Sequence, residues 1–274
     1  MEEIAVYTLF DDNYFDYGAT LIYSFFKYND WFDGDFVVIN DDKYCTLSDE
    51  NKERLRKFSK NIKFLTVKNS EYIRVLDNQY EICSVNKKWL SCFFELELFR
   101  TKYDKALWLD SDTIVMASIR ELFEDKKLDG KFSCCGDCQD LAADYFNAGV
   151  YRVDKEFLKK YPFKKVYDFC AKVTKDGLIT SRRALCEGML VIQDCLNHLI
   201  VQEDRFFLPH SFYNMSVFFN THTPLCKIHH YNGGLNKPNG PTEKSGRYNW
   251  FFEPWHRLHG EAMNNLRELE ENGK

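Results

Sequence analysis

Apolar runs alternate with segments of helical spacing along the first third of the chain. Residues 3–10 (EIAVYTLF), 35–40 (DFVVIN) and 62–67 (IKFLTV) are short and mostly apolar, which predicts buried strands. Between the first two runs, residues 17–28 carry apolar side chains at helical intervals. Ser48 follows the second run and predicts the N-cap of a polar helix. Strands that alternate with helices predict an α/β domain with a largely parallel sheet.

A fourth apolar run, residues 106–109, ends in an acidic segment. Residues 105–115 read KALWLDSDTIV, so Asp110, Ser111 and Asp112 directly follow a predicted buried strand. Two carboxylates in this position are costly unless a positive charge meets them. Side-chain alternation along an extended chain places Asp110 and Asp112 on one face, where oxygen ligands suit Mg²⁺ or Mn²⁺. The alternative is an Asp-rich turn that only caps a following helix.

The rest of the chain contains helices and strands in a less regular order. Helical patterns cover residues 89–99, 118–123, 155–172, 185–200 and 263–271, and strand patterns cover residues 131–137, 150–153 and 225–231. Residues 205–214 predict a loop. Largely parallel sheets bind ligands at the carboxyl ends of their strands. Residues 11–13 and 110–112 both follow such strands, so we predict a ligand site at this edge.

Composition and charge narrow the class of protein. Hydrophobic residues make up 45% of the 274 residues, which is enough for a folded domain with a real core. The net charge of -5 provides no broad basic surface, so nucleic acid is not an expected partner. No apolar run approaches the about 18 residues of a membrane span. The chain starts MEEIAVYTLF without a secretory leader, so we expect a cytoplasmic protein. The sequence does not indicate an oligomeric state.

The cysteines are expected to be structural thiols. Ten are scattered along the chain, and a cytoplasmic compartment keeps thiols reduced. Cys134, Cys135 and Cys138 offer the weaker alternative of part of a zinc site, but no second ligand pair follows at a usual spacing. The single glycosylation sequon, residues 214–216 (NMS), is expected to be a chance occurrence.

Two features near the C-terminus complete a candidate ligand site. His229 and His230 are neighbours on a predicted strand and face opposite ways, so only one can join the acidic pair. Residues 232–240 (NGGLNKPNG) form a glycine-rich loop that can surround phosphate while Lys237 supplies a charge, although a plain surface turn would use the same residues. Two Asp and one His suit a divalent cation. The chemistry that fits is transfer from a nucleotide-activated donor.

These segments resemble a known family. LWLDSDTIV resembles the DxD motif of A-type glycosyltransferases, and its surroundings resemble glycosyltransferase family 8. VYTLFDDNYFDYG is similar to that family's nucleotide-binding N-terminus, FNAGVYRVD to its acceptor-side strand, QDCLN to its DQ-x-x-LN helix and IHHYNGGLNKPNG to its HxxGxxKP ending. The matches run in family order from about residue 4 to 240. The resemblance implies one Rossmann-like A-type domain with a mixed, mainly parallel sheet flanked by helices. We expect a catalytic domain at 1–245 and an aromatic segment and helix packed on it at 246–274.

The resemblance also implies an activity and a role for each matching residue. The activity would be metal-dependent, retaining transfer of glucose or galactose from a UDP-sugar to a hydroxyl acceptor such as a glycan. The ligands of Mn²⁺ or Mg²⁺ would be Asp110, Asp112 and His230. Other implied roles are a nucleotide site at Leu9, Asp12, Phe15 and Ser111, a diphosphate site at Gly233 and Lys237, and donor-sugar and catalytic contacts at Asp137, Asn147 and Gln193.

Each assignment has a structural alternative. These are a helix cap for Asp12, a core position for Phe15, a satisfied turn backbone for Asn147 and an exposed helix face for Gln193. The chain also differs from the family pattern, with Ile192 in place of an acid and Phe94 and Glu95 where a basic residue is common. Candidate substitutes are Asp194 or Glu187 for the acid and Lys87 or Lys88 for the base. The spacing from histidine to lysine is one residue longer than usual, which predicts a bulge at residues 233–234.

These differences motivate a second hypothesis, a catalytically weak nucleotide-sugar-binding protein. A third hypothesis is a nucleotidyltransferase that makes the nucleotide-sugar. It ranks last because no triphosphate-binding glycine loop precedes Gly18.

Overall fold

The computed structural model describes residues 2–83, 87–137, 144–173, 191–216, 225–246 and 249–272. In these ranges the strands are β1 (Ile4–Leu9), β2 (Asp35–Asp41), β3 (Ile62–Val67), β4 (Lys105–Leu109), β5 (Thr113–Val115), β6 (Phe132–Gly136), β7 (Phe146–Asp154), β8 (Arg205–Leu208) and β9 (Ile228–His230). The α-helices are α1 (Phe15–Tyr28), α2 (Asp49–Arg56), α3 (Asn69–Cys83), α4 (Glu121–Glu124), α5 (Lys155–Lys160), α6 (Phe163–Cys170), α7 (Val191–Leu199), α8 (His210–Tyr213), α9 (Pro241–Lys244) and α10 (Asn249–Asn272). The 3-10 segments are Asp12–Tyr14, Lys87–Arg100, Lys126–Leu128, Gln202–Asp204 and Gly234–Asn236.

Seven strands form a mixed, mainly parallel sheet, as predicted. Its order is β3-β2-β1-β4-β7-β6-β8. The pairs β1/β2, β2/β3, β1/β4 and β6/β8 are parallel, and β7 runs antiparallel to both β4 and β6. Because β4 and β6 therefore point the same way, the end of β4, the end of β6 and the start of β7 meet at one edge of the sheet.

A second, two-stranded sheet lies over that edge. β5 pairs antiparallel with β9, and the register places Thr113 opposite His230. This pairing brings a residue from the C-terminal part of the chain beside the acidic segment that follows β4.

The sheet separates two apolar cores because successive side chains on a strand face opposite ways. On β1, Tyr7 belongs to a cluster that includes residues of α3, α6, α7 and the Lys87–Arg100 segment, whereas Val6 belongs to one that includes residues of α1, α2 and α4. A third cluster joins α10 to β5 and β9 through Phe251, Phe252 and Trp255. The C-terminal helix therefore covers the second sheet, and it begins well before the predicted residue 263 because these aromatic side chains are buried.

Several local predictions need correction. Residues 205–214 are not a loop, since β8 extends the sheet beside β6 and α8 follows it. The predicted helix 155–172 is two helices, interrupted before Phe163 by Pro162 at the N-cap of α6. Helix α3 was not predicted, although its buried Tyr72, Val75, Leu76 and Gln79 have helical spacing. Of the predicted helix 185–200, residues 185–190 lie outside the described part.

The adjacent cysteines on β6 do not form a metal site together. Cys134 and Cys135 point to opposite faces of the sheet and pack in different apolar clusters. Burial raises the pKa of both thiols, which disfavours the thiolate that binds metal. Cys138 lies outside the described residues.

No helix in the described ranges combines the length and the apolar character that a membrane crossing requires.

Candidate active site

The acidic segment after β4 is a turn between β4 and β5. The backbone N–H of Asp110 donates to the carbonyl of Gly149 at 2.8 Å, and the N–H and Oγ1 of Thr113 bond back to the Asp110 carbonyl at 3.0 and 2.8 Å. The indole N–H of Trp108 donates to Asp110 Oδ1 at 2.8 Å. The two carboxylates thus share one side, but a turn brings them together rather than strand alternation. No helix follows directly, so the helix-cap alternative for this segment is wrong.

Asp110, Asp112 and His230 converge at this turn. Nε2 of His230 lies 3.5 Å from Asp110 Oδ2 and 3.3 Å from Asp112 Oδ1. All three residues offer ligand atoms within 4.8 Å of one another, and within the described ranges this is the one such group. Two carboxylates and an imidazole, with His230 and Asp112 buried, are donors that suit Mn²⁺ or Mg²⁺. The residues present therefore fit a divalent cation.

The neighbouring histidine faces the other way, as predicted. His229 stacks on Phe251 of α10, with ring centroids 5.0 Å apart and planes at 15°. Because the two histidines are adjacent on a strand, His230 faces the polar site and His229 faces the C-terminal apolar cluster.

Lys237 places a positive charge beside the acidic turn. Its ammonium group forms an ion pair with Asp112 and lies 5.8 Å from the ring centroid of Tyr14. Burial lowers the pKa of Lys237 to about 8, although the charge of Asp110 opposes this shift. The loop before it turns at Gly233, whose φ of 77° favours glycine. Gly233 precedes the 3-10 segment Gly234–Asn236, and the bulge expected at residues 233–234 stays a prediction.

Asp137, Asn147 and Gln193 form one buried hydrogen-bonded group. Gln193 Nε2 donates to Asp137 Oδ2 at 2.8 Å, and Gln193 Oε1 accepts from Asn147 Nδ2 at 3.1 Å and from the Ala148 N–H at 2.9 Å. Asn147 Oδ1 accepts the N–H of Gly149 at 2.9 Å. Gln193 is therefore not an exposed helix residue, and Asn147 does satisfy local backbone. The structure brings together the three residues assigned to the donor sugar.

Two of the predicted nucleotide residues make structural contacts. Asp12 accepts hydrogen bonds from the backbone and hydroxyl of Ser48, both at 3.0 Å, and from Asn51 at 2.8 Å. Although burial alone would raise it, these bonds lower the pKa of Asp12. The side chain that caps the 3-10 segment before α1 is that of Asp11, which accepts from the N–H groups of Asn13 and Tyr14. Phe15 is buried in the core with the guanidinium of Arg54 4.6 Å from its ring.

The other two, Leu9 and Ser111, are half-buried at the ends of β1 and β4. Their position at the carboxyl edge agrees with a ligand site there. The nucleotide roles of all four residues stay predictions.

Glu95, at a position where the family commonly has a basic residue, places a buried carboxyl group near the site. Glu95 accepts a hydrogen bond from the Tyr151 hydroxyl at 2.8 Å. Desolvation by burial raises the pKa of Glu95 well above its usual value, and the charge of Asp110 adds to this effect. The sequence analysis noted Glu95 only as a departure from the family pattern and Tyr151 only within a predicted strand, since no local pattern identifies a contact across 56 positions. The side chains of Lys87 and Lys88 lie outside the described part.

Of the two candidate substitutes for the missing acid, Asp194 lies in the described part, and its role stays a prediction. Ile192, the second residue of α7, is buried in the apolar core. Asp194 is also buried, and it accepts a hydrogen bond from the Tyr145 hydroxyl. Glu187 lies outside the described ranges.

Replacing Glu95 with glutamine should make the free energy of unfolding less dependent on pH. Above the ordinary glutamate pKa the folded state keeps a proton that the unfolded state loses, so wild-type stability falls as pH rises, by at most about 1.4 kcal/mol per pH unit. Denaturant titrations in metal-free buffer from about pH 5 to about pH 8 should show the free energy of unfolding of Glu95→Gln increasing relative to that of wild type as pH rises. Glu97→Gln is the control, because it removes a carboxylate paired with Arg100 and should destabilise. Parallel curves for wild type and Glu95→Gln would contradict the raised pKa.

Gly149 is required by the close approach of His230. A β-carbon at this position would lie 2.2 Å from Cε1 and 2.7 Å from Nδ1 of His230. Gly149→Ala should therefore displace the ring and weaken Mn²⁺ binding about 10- to 100-fold, with a loss of about 1–3 kcal/mol in stability from overpacking. Titration of Mn²⁺ measures the first effect and thermal unfolding the second.

The control for this prediction is Gly260→Ala in α10. A β-carbon there meets no atom within 4 Å, so this variant should stabilise the helix by about 0.5–1 kcal/mol and leave Mn²⁺ binding unchanged. Unaltered Mn²⁺ affinity in Gly149→Ala would show that the His230 ring does not hold the cation.

Comparison with known proteins places this geometry in a family. The family model described as glycosyl transferase family 8 matches residues 5–238. Galactosyltransferase LgtC, solved with donor and acceptor sugar analogues, is 19% identical with a TM-score of 0.70, covering 94% of this chain and 95% of its own. GlyE of Streptococcus pneumoniae TIGR4 is 18% identical with a TM-score of 0.62, covering 99% of this chain and 65% of its own.

A more distant likeness is to mouse xyloside xylosyltransferase 1, 14% identical with a TM-score of 0.61, covering 86% of this chain and 99% of its own. No curated protein sequence matches the chain significantly. The structural likenesses show an A-type glycosyltransferase fold, and the sequence model covers most of the chain. This chain belongs to glycosyl transferase family 8.

Proposed function

We propose that this glycosyltransferase is a metal-dependent, retaining enzyme that moves glucose or galactose from a UDP-sugar to a hydroxyl acceptor, most simply a glycan. The observation that carries the proposal is the convergence of Asp110, Asp112 and His230 beside Lys237 at one edge of the sheet. A nucleotide diphosphate needs this combination of cation ligands and a basic side chain.

The residues around the site have separate proposed roles in the reaction. Held by Asp110, Asp112 and His230, Mn²⁺ or Mg²⁺ would neutralise charge on the diphosphate. The Lys237 ammonium stabilises the negative charge that develops on the leaving phosphate oxygen. Gly233 lies in the loop that approaches the diphosphate. Leu9, Asp12, Phe15 and Ser111 are proposed to border the nucleotide.

Retention follows from a front-face reaction. The bond between the anomeric carbon and the phosphate oxygen breaks, and the acceptor oxygen bonds to that carbon on the same face. The departing phosphate oxygen takes the acceptor's proton, so no enzyme base is needed for this step. The buried group of Asp137, Asn147 and Gln193 is proposed to hold the donor sugar, with hydrogen bonds among its members limiting their movement.

The proposal is tested by measuring UDP release from a panel of UDP-sugars with and without Mn²⁺. We expect release from UDP-glucose or UDP-galactose that requires Mn²⁺ and stops when a chelator is added. Release that is equally fast in chelator would remove the metal from the mechanism. If only one UDP-sugar of the panel releases UDP, that sugar nucleotide is the donor, and its identity narrows the search for the acceptor.

A second candidate function is nucleotide-sugar binding with little turnover. Buried Ile192 favours it, because the family acid is missing and Asp194 is held by Tyr145. Calorimetry with UDP-glucose and UDP-galactose, run beside the turnover assay, separates the two functions. Tight binding without product from a broad acceptor panel would favour this candidate.

A further inference from the structure

Asn214 lies between the candidate cation ligands and the group assigned to the donor sugar. It is buried, its Oδ1 is 2.8 Å from Nδ1 of His230, and its Nδ2 donates to Asn147 Oδ1 at 2.9 Å. Backbone hydrogen bonds hold the adjacent Met215 against β9 on both sides, since its N–H donates to Ile228 and its carbonyl accepts from His230. The amide of the sequon is thus an internal hydrogen-bonding group, and neither proposed function uses it.

The direction of each hydrogen bond in this network follows from a backbone donor. The N–H of Gly149 can only donate, so the atom of Asn147 that faces it is the oxygen. That oxygen also faces Asn214, which must therefore present its NH₂ group there and its own oxygen to His230. An oxygen acceptor requires a proton on Nδ1 of His230. In the neutral ring, the lone pair then lies on Nε2, the atom that faces Asp110 and Asp112.

We propose that Asn214 is a positioning residue of the cation site. It orients the His230 ring and holds the tautomer in which Nε2 can bind a metal ion. Hydrogen-bonded partners of this kind commonly set ligand orientation and affinity in metal sites. The inference rests on the proposed role of Asp110, Asp112 and His230 as metal ligands.

The same network extends to the donor-sugar group. From Asn214 it passes through Asn147 to Gln193 and then to Asp137, with each step a hydrogen bond between buried side chains. The orientation of the histidine and that of the sugar-facing amides are therefore set together. A change at Asn214 acts on the cation site directly and on the sugar site through Asn147.

Metal affinity tests the proposal with two variants. In the presence of UDP, Asn214→Ala should weaken Mn²⁺ binding about 10- to 100-fold. The electron paramagnetic resonance signal of free Mn²⁺ measures this binding. Asn214→Asp keeps an acceptor for His230 and should stay within about threefold of wild type, although it loses the donor to Asn147. Wild-type affinity in Asn214→Ala, or equal weakening in both variants, would overturn the positioning role.

The matched control is Asn29→Ala. Asn29 is equally buried and also uses its whole amide, donating to the Phe25 carbonyl and accepting from Trp31 and Ile119. Its loss should lower the melting temperature without changing Mn²⁺ affinity. If wild-type protein itself binds no Mn²⁺, the proposed metal-dependent function fails, which is distinct from failure of the role of Asn214.

The tautomer is measured independently of metal and of any variant at Asn214. Two-bond ¹H–¹⁵N spectra of metal-free wild-type protein, recorded in alkaline buffer, should show His230 protonated on Nδ1 and bare on Nε2. Comparison with His230→Gln assigns the signal. A neutral ring protonated on Nε2 would overturn the inference even where Asn214→Ala does not fold.

Discussion

Asp110→Asn should lower kcat/KM for sugar transfer by about 10³-fold or more, because a neutral amide removes one of two charges proposed to hold the cation. The substitution preserves shape, and the new side-chain oxygen can still accept the Trp108 indole N–H. The backbone bonds that form the turn do not involve the side chain. The fold should therefore survive, and near-ultraviolet circular dichroism together with melting temperature will show whether it does.

The control lies at the opposite end of the same strand. Asp104 precedes β4, bonds to the N–H of Glu3 and pairs with Lys155. Asp104→Asn makes the same chemical change away from the acidic turn and should alter turnover by no more than about twofold. Undiminished turnover in a folded Asp110→Asn enzyme would exclude the cation role of this carboxylate.

Lys237→Met should lower kcat by about 10²–10³-fold, because it removes the positive charge that stabilises the leaving phosphate. Methionine fills much of the space of the lysine stem, so the packing beside Tyr14 and Tyr17 is largely kept. Initial rates of UDP release with saturating UDP-sugar separate this loss from weaker donor binding. The expected signature is a fall in kcat together with kcat/KM.

Lys244→Met, in the exposed α9 helix, is the matched control for charge and size. It should retain wild-type rates. If Lys237→Met raises KM alone, the lysine binds the ground state and the transition state equally, and its proposed stabilisation of the leaving group is wrong.

The alternation of strands and helices in the N-terminal half was readable from local sequence. Strands β1 to β4 are short apolar runs, and helix α2 starts at the predicted Ser48, which accepts the Asn51 N–H. Such signals are strong because parallel strands are buried on both faces and helix caps use few residue types. The ordered motifs also led to the correct family and fold.

Other elements lacked a local signal. β8 reads RFFL before a proline, with no alternation, and exists because β6 offers it a parallel partner. The role of Asn214 was missed for the same reason, since it lies where a loop was predicted and its partners are distant in sequence. Glu95 was noted only as a departure from the family, whereas burial against Tyr151 determines its chemistry.

The sequence by itself determined the chemical groups of this protein: the acidic pair, the alternation of the two histidines, the lysine in its glycine loop and the family to which they belong. Tertiary structure decided how they meet. The turn after β4 aligns Asp110 with Asp112, the pairing of β5 with β9 brings His230 to them, and Gly149 leaves room for its ring. The β5–β9 pairing joins residues over 100 positions apart and the Gly149–His230 contact joins residues about 80 apart. Such contacts depend on strand register and packing, which no local pattern specifies.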